Sequence, residues 1–498
     1  MLKSSLIEII RTFTKQELIK FEDFVRSPYL NKKENVTKLF LGIKNYAPEF
    51  TDGNLDKEKI WIKIFSGKEY NYGIMKNLIH ELNKLCESFI TIEFTKDDKL
   101  ENSINLLSAL QHRQVTKVFS SKIDMIEKIY NNPDLKSERY GIENYYEFLD
   151  KLYYLKSQYN WHHNMKSTAA YECTSRCTDY LLYSAIIYFY KYYNNYLAHN
   201  NKEVWNKSNA ADIFLAGLNN NLISQLLENV KVKSERDYLI LKCFYDMNIA
   251  IDPDADINSY FNFKKSLHDC VGIIPKGDLR DLLTCLTNSL RYINNSSSVS
   301  GINLIKEIME NYNLMIENNI FLDENGIMEG NLYIMYNVIA FALKEHESIE
   351  IIVKKFGNKI PEDRRENDNN YSQSLICYAK NEYYNSLEYL SRINHDFFNM
   401  KYLVKDLQMM NYYELNDYIS FNYVLDSYRH FLTQNKSVTS SNKTITEDYF
   451  NSINKLFKLR ESFDQFELDK LRKEVKENRP KNGFWILDKI SELESVNS

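Results

Sequence analysis

The sequence predicts an all-α protein, and three observations carry that prediction. The 498 residues include only 13 glycines and 7 prolines, about 4% of the chain where about 12% is usual. β-Rich folds need turn residues every ten positions or so and α/β folds need Gly-rich loops at strand ends, so neither suits this composition. Apolar residues recur at helical spacing, with no period-two alternation over a useful length. A hydrophobic content of 44% beside 26% charged residues describes a globular chain long enough for two or more domains' worth of core.

The elements follow in order. Met1 to Phe13 places Glu8 inside a short apolar stretch and offers no small-residue cleavage site, which reads as an amphipathic helix and not a leader. Thr14 with Glu17, and Asn31 with Glu34, each match the capping box, in which the first side chain accepts from a backbone N–H and the glutamate returns the bond. Each pair is expected to start a helix. Between them Leu18, Phe21, Phe24 and Val25 repeat at helical spacing, and Ser27 and Pro28 stop the run because a residue before proline avoids the α region. Met75, Leu78, Ile79, Leu82, Leu85, Cys86 and Phe89 form a second stripe, predicting a helix from about Tyr72 to Phe94. Residues 1–97 are expected to form an N-terminal helical module.

From 98 to 300 longer helices continue as a central array. Pro133, Pro253 and Pro275, with Gly141, Gly272, Gly277 and Gly301, fall between periodic segments and mark the loops. Tyr180 to Leu197 is apolar or aromatic nearly all round, which predicts a helix surrounded by neighbours, with the hydroxyls of Tyr183, Tyr188, Tyr190, Tyr192 and Tyr193 at its edges. The longest apolar run, Leu181 to Tyr190, is about half of what a membrane span needs and ends at Lys191.

The last third repeats. Polar breaks at His346 to Ser348, Asn381 to Tyr383 and Asn416 to Tyr418 each separate two helical stripes, at a period near 35 residues. Leu375, Ile376, Tyr378 and Ala379 precede the second break, and Leu387, Leu390 and Ile393 follow it. Leu403, Leu407, Met410 and Tyr413 precede the third, and Val424, Leu425 and Tyr428 follow. Helix, tight polar turn and helix at this spacing resembles tetratricopeptide repeats, whose turn carries an acidic-aromatic pair. Glu382 with Tyr383 and Asp417 with Tyr418 match the pair; Glu347 with Ser348 matches its acidic half. Where such repeats hold a glycine before the acidic residue this chain has Asn381 and Asn416, and Ser386 and Phe421 stand where they hold a small alanine. The resemblance covers about residues 312–434. It implies an α-solenoid of hairpins over 301–434, closed by a helical cap over 435–498.

The ends carry a second resemblance. Lys20, Phe21, Phe24, Ser27, Pro28, Tyr29 and Asn31, then Ile60, Trp61, Ile64, Phe65, Gly67, Lys68, Tyr70 and Asn71, with Gly483, Phe484, Trp485, Ile486 and Leu487 near the end, resemble an uncharacterised family of long bacterial all-α proteins. That likeness implies the fold and no chemistry.

Candidate chemistry is sparse. A net charge of −5 from 63 basic and 68 acidic residues is too balanced to announce an anionic partner. Lys15, Lys20, Arg26, Lys32, Lys33, Lys38 and Lys44 leave the N-terminal module weakly basic, the feature a nucleic-acid-binding reading would use. His162, His163, Cys173 and Cys177 have metal-capable side chains, but Cys-x-x-x-Cys is a weak zinc signal and helical cysteines usually pack as small apolar residues. Asp252, Asp254 and Asp256 open like a calcium loop, yet Ile257 and Phe263 stand where glycine and glutamate are required. No Gly-x-Gly occurs, and Lys68 is followed by Glu69 where a phosphate-binding loop needs Ser or Thr. No cofactor is expected. Seven cysteines, Cys86, Cys173, Cys177, Cys243, Cys270, Cys285 and Cys377, are odd in number and thinly spread, which suits a reducing compartment, most simply the cytoplasm.

The expected function is a non-enzymatic scaffold that binds a peptide or partner protein on a curved surface. The tetratricopeptide resemblance implies that the first helix of each pair lines the groove, which places Tyr333, Tyr336, Lys344, Tyr371, Tyr378, Asp406, Met410, Tyr413 and Glu414 there. Tyrosines offer large contact area at low entropic cost. The competing expectation is that many of them pack between hairpins.

Overall fold

The helical grammar holds among the described residues, which form 23 helices, and the β-type pairing among them is an isolated bridge between Leu322 and Met328. The computed structural model describes residues 4–50, 55–130, 141–163, 168–199, 210, 220–252, 255–293, 303–323, 325–328, 330–394, 398–435, 438 and 440–497. They fall into two compact units, Met1–Pro133 with Tyr145–Leu182, and Asp134–Asn144 with Tyr183–Ser498. Pro133, Pro253, Asp254 and Gly301 lie outside the described residues.

The first unit opens with α1 (Ser5–Arg11) and α2 (Lys15–Arg26). Thr14 accepts from the Glu17 amide while the Glu17 carboxylate accepts from the Thr14 amide at 2.8 Å, so the first capping box is real. The second is not. Asn31 spends its side chain elsewhere, accepting from the Lys33 amide at 2.9 Å and donating to the Val25 carbonyl at 2.8 Å. Helix α3 (Glu34–Lys44) therefore starts without a side-chain cap. Helices α4 (Lys57–Ile64) and α5 (Tyr72–Lys96) follow, the latter two residues longer than its stripe predicts. The apolar faces of α1 to α5 meet in one core, where the Phe21 ring lies 4.8 to 5.4 Å from those of Phe13, Phe40 and Phe89. Helices α6 (Lys99–His112) and α7 (Thr116–Tyr130) make a hairpin, and α8 (Ile142–His163) from Tyr145 and α9 (Ala169–His199) to Leu182 complete the unit.

In the second unit the remainder of α9 corrects an expectation. Tyr183, Ile187 and Tyr190 are buried, but Tyr192 is 65% exposed, so this aromatic segment buries a single stripe and is not enclosed all round. The unit continues with α10 (Asn220–Lys233), α11 (Glu235–Ala250), α12 (Ile257–Asp269), α13 (Lys276–Ile293), α14 (Leu304–Glu317), α15 (Gly330–Ala342), α16 (His346–Phe356), α17 (Glu362–Ala379), α18 (Tyr383–Ser391), α19 (Phe398–Glu414), α20 (Tyr418–Gln434), α21 (Ser440–Glu461), α22 (Gln465–Asn478) and α23 (Gly483–Asn497). From α10 onward each helix packs on the next, and α15, α17 and α19 also pack in succession on one another. Pro275 precedes α13 and Pro361 caps α17. Asp256 caps α12 by accepting from the Ser259 amide at 2.8 Å, so its carboxylate is engaged in a helix start.

Three hairpins, α15 with α16, α17 with α18 and α19 with α20, share one turn. Lys344, Asn381 and Asn416 take the left-handed conformation, with φ of 62°, 60° and 56°. Each donates its amide to the carbonyl three residues back, of Phe341, Tyr378 and Tyr413, and the following amides of Glu345, Glu382 and Asp417 reach back to Ala340, Cys377 and Tyr412. This is the Schellman closure, which satisfies carbonyls that a helix end leaves free. It corrects the register of the first repeat. The break is Lys344 and Glu345 and not His346 to Ser348, which makes the spacing from Lys344 to Asn381 longer than that from Asn381 to Asn416. His346 then occupies the place of Tyr383 and Tyr418.

Candidate functional site

Aligned on their turns, the hairpins bury equivalent side chains. Three turns' worth of first helix contribute Ile334, Tyr371 and Asp406; Asn337, Ser374 and Met409; and Phe341, Tyr378 and Tyr413. Their spacing of three and four residues puts them on one face of each first helix. The second helices contribute Ile349, Ser386 and Phe421, then Phe356, Ile393 and Tyr428. At Ser386 the crossing is tight and polar: its Oγ donates to the Ser374 carbonyl at 2.9 Å and accepts from Asn411 Nδ2 at 3.0 Å. Asn337 Nδ2 likewise donates to Ser372 Oγ at 2.8 Å.

Of the nine residues assigned to a groove, seven are buried: Tyr333, Tyr336, Tyr371, Tyr378, Asp406, Met410 and Tyr413. Glu414 is mostly buried, and Lys344 sits in the turn and not on a helix face. The exposed aromatic cluster that a vacant groove would show is missing from these positions. Tyr333 and Tyr336 are packed between hairpins, the first donating to Asn369 Oδ1 at 2.8 Å and the second facing Tyr312 and Phe321. The exposed apolar side chains of the hairpins are instead Ile351, Tyr384, Tyr418, Ile419 and Tyr423, all on second helices.

Tyr378, Tyr413, Glu414, Asp406 and Lys344 meet the chain's own C-terminal segment. Arg479 and Asn482 both have positive φ in the turn after α22, and α23 packs on α21 and α22, from where Trp485 and Lys489 reach residues of the first helices. Trp485, only 4% exposed, donates its Nε1 to the Tyr378 hydroxyl at 2.6 Å and sets its ring edge-on to Tyr413 at 5.3 Å. Tyr378 donates its own O–H to Glu414 Oε1 at 2.8 Å, and Lys489 meets the same oxygen at 2.7 Å. Lys344 reaches Asp488 at 2.9 Å. Just before the helix, Lys481 binds Asp406 at 2.6 Å and the Tyr428 hydroxyl at 3.0 Å.

The electrostatics follow from that packing. Burial, reinforced by the Glu414 charge, pushes the Tyr378 phenol well above its ordinary pKa, so it acts as a donor at any physiological pH. Burial raises the Asp406 carboxyl, opposed by Lys481. Burial works against the Lys489 ammonium, but hydrogen bonds to Glu414 and Glu492 outweigh it and hold the pKa above the ordinary value. Lys489 is therefore a buried, charged anchor. What the arrangement does is tie the C-terminal segment to the hairpins through Trp485 and the pairs of Lys481, Asp488 and Lys489, while Glu494 pairs with Arg472 and Ile486 and Ile490 are fully buried.

Other candidates resolve separately. His162 and His163 do not join Cys173 and Cys177: Cys173 accepts from Asn160, Cys177 donates to Asp150 at 2.9 Å, and burial pushes the Cys177 thiol up to about 12. Among the described residues no three His, Cys, Asp or Glu side chains converge as metal ligands, and no helix is long and apolar enough to cross a membrane. Of the seven N-terminal basic residues, Lys20 pairs with Glu93, Arg26 and Lys44 with Glu22, Lys33 with Glu81 and Lys38 with Glu34.

One site escaped the sequence. A cavity of about 610 Å³ in the second unit is lined by Glu143, Lys191, Phe244, Asp278 and Cys285, among others. Lys191 bridges Glu143, at 2.5 Å, and Asp278, and Asp278 also accepts from the Ile142 amide at 2.6 Å. Burial, set against the Lys191 charge, pushes the Asp278 carboxyl up to about 6, and burial pushes the Cys285 thiol up to about 12. Here the lysine and carboxylates consume one another's charge. The sequence signal was a lysine directly after the longest apolar run, a position where a buried cation needs partners.

Comparison with protein-family models, curated proteins and solved structures returns no match for this chain. The reading of its function rests on the geometry above.

Proposed function

We propose that the chain is a non-enzymatic protein-binding scaffold, in which tetratricopeptide-like hairpins over about residues 312–434 stack as a short α-solenoid and offer the face of their first helices to a helical segment. The observation that supports this reading is the seating of α23: a helix with an aromatic anchor and flanking charges fits against Tyr378, Tyr413, Glu414 and Lys344. Helix-on-face recognition of this type uses apolar anchors spaced three and four residues apart, with charges fixing register. The stack supplies rigidity, because buried Ser386, Asn411, Asn337 and Ser372 lock neighbouring hairpins by hydrogen bonds.

The test is affinity capture of the tagged full-length chain from its source cells, alongside a Lys344→Glu variant, whose site is an exposed turn outside the buried hairpin core. One protein in stoichiometric amount, depleted in the variant, supports the scaffold. Recovery of no such protein, or equal recovery by both chains, refutes this face as the binding surface. Recovery of nucleic acid that washes away steeply with salt would favour the N-terminal lysines instead.

A further inference from the structure

We infer, building on that reading, that α23 is a resident stand-in for the partner: the hairpin face takes an amphipathic helix bearing an aromatic residue, an acidic residue three positions later and a basic residue four positions later, and the chain's own Trp485, Asp488 and Lys489 occupy it until such a helix displaces them.

Three features of the seat define that occupant. The aromatic place is formed by Tyr378 and Tyr413, equivalent residues of adjacent hairpins, and it includes a hydroxyl that accepts from the indole N–H at 2.6 Å. A phenylalanine would fill the space and leave that hydroxyl without its donor, so tryptophan is preferred. Glu414, mostly buried and bonded to Tyr378, requires a cation, and Lys489 supplies it from the turn of α23 that follows Trp485. Lys344, in the turn of another hairpin, requires an anion and finds Asp488. The recognition residues thus span three successive hairpins, and a helix presents an aromatic, an acid and a base at i, i+3 and i+4 on one side.

The same residues make the occupant exchangeable. The ion pair at the edge of the seat is half in solvent, the Lys344 and Asp488 side chains being 65% and 38% exposed, so it sets register more than affinity. Toward the hairpins the buried aromatic anchor is one side chain, Trp485, the kind of residue that carries much of an interface, while α23 also buries Ile486 and Ile490 and packs on α21 and α22. Because α23 is tethered, it competes at an effective concentration in the millimolar range, which keeps weak helices out and admits one that binds more tightly.

The experiment uses the full-length chain carrying Trp485→Ala and Lys489→Ala, and a fluorescein-labelled peptide of residues 481–497. Fluorescence anisotropy is expected to show saturable binding to the variant and none to the wild-type chain at the same concentration, with a Trp485→Ala peptide weakened by about thirty-fold or more. A variant that keeps its circular dichroism and melting profile yet takes no peptide overturns the inference, while a partner still captured through Lys344 would leave the scaffold reading standing. Should the double variant lose its fold, the exposed pair decides: Lys344→Glu should speed amide exchange in residues 483–497 by roughly two- to five-fold, and adding Asp488→Lys should restore it. Equal exchange in all three chains overturns the inference.

Discussion

Replacing Trp485 by alanine isolates the contribution that holds α23 in place. The side chain is 4% exposed, bonded through Nε1 to Tyr378 and packed edge-on against Tyr413. Truncating a buried tryptophan costs about 3–5 kcal/mol. The Tyr378 hydroxyl keeps Glu414 as its acceptor, so little is added for a stranded polar group. At about 1.4 kcal/mol per factor of ten, the opening equilibrium of the helix should rise roughly 100- to 4,000-fold. Hydrogen–deuterium exchange read by mass spectrometry resolves this segment by segment. Residues 483–497 should exchange faster by that factor in the variant, while α17 and α19 keep the wild-type protection of a packed hairpin stack. Two results refute the reasoning. Unchanged exchange in 483–497 means the tryptophan does not hold the helix, and a matching rise across α15 to α20 means α23 is an integral part of the core and not an occupant of its face.

Three further outcomes test the rest of the structure. Asp278→Asn removes a carboxyl held near pH 6 in the native chain against an ordinary 3.8; the native state binds the extra proton between those values, so wild-type stability should fall relative to the variant by about 2–3 kcal/mol as pH rises from 4 to 7, and parallel urea midpoints across that range would contradict it. Ser386→Ala strips a donor from the Ser374 carbonyl and an acceptor from Asn411, and should cost about 1–3 kcal/mol in thermal or urea unfolding. Gln114 takes a positive φ of 56° at the end of α6, a conformation that costs a side chain about 1–2 kcal/mol; Gln114→Gly should therefore stabilise the first unit by about 1 kcal/mol, visible as slower exchange in α6 and α7.

Much of this was legible in the sequence, wherever the cause was local. The Thr14–Glu17 box, the stop at Ser27 and Pro28, the stripe on α5 and the turns at Asn381 and Asn416 all depend on residues within a few positions of one another. The Asn31 box failed because its side chain found Val25, six residues upstream, a competitor that a four-residue pattern does not contain. The first repeat was misplaced because Lys344 takes a conformation usually left to glycine or asparagine, so nothing in its residue type announced the turn. The largest gap concerns the face itself. Tyr378 and Trp485 are 107 residues apart, and no spacing rule links an aromatic stripe on one helix to the helix that will cover it. The tyrosines were identifiable as important, but a covered face and an open one carry the same sequence pattern. For that reason Tyr336, Tyr378 and Tyr413 are poor probes of binding: removing them opens cavities in the stack, whereas the solvent-facing pair Lys344 and Asp488 reports on occupancy without doing so.

The most direct measurement of the central claim is a distance between α23 and the hairpins. Spin labels introduced through non-natural amino acids at Asn385 on α18 and Glu492 on α23 of the full-length Trp485→Ala chain report the docked separation by pulsed electron resonance. Adding an excess of the wild-type 481–497 peptide should convert that separation to a broad, longer distribution as the tethered helix yields its place. A single unchanged distance at saturating peptide would contradict the account.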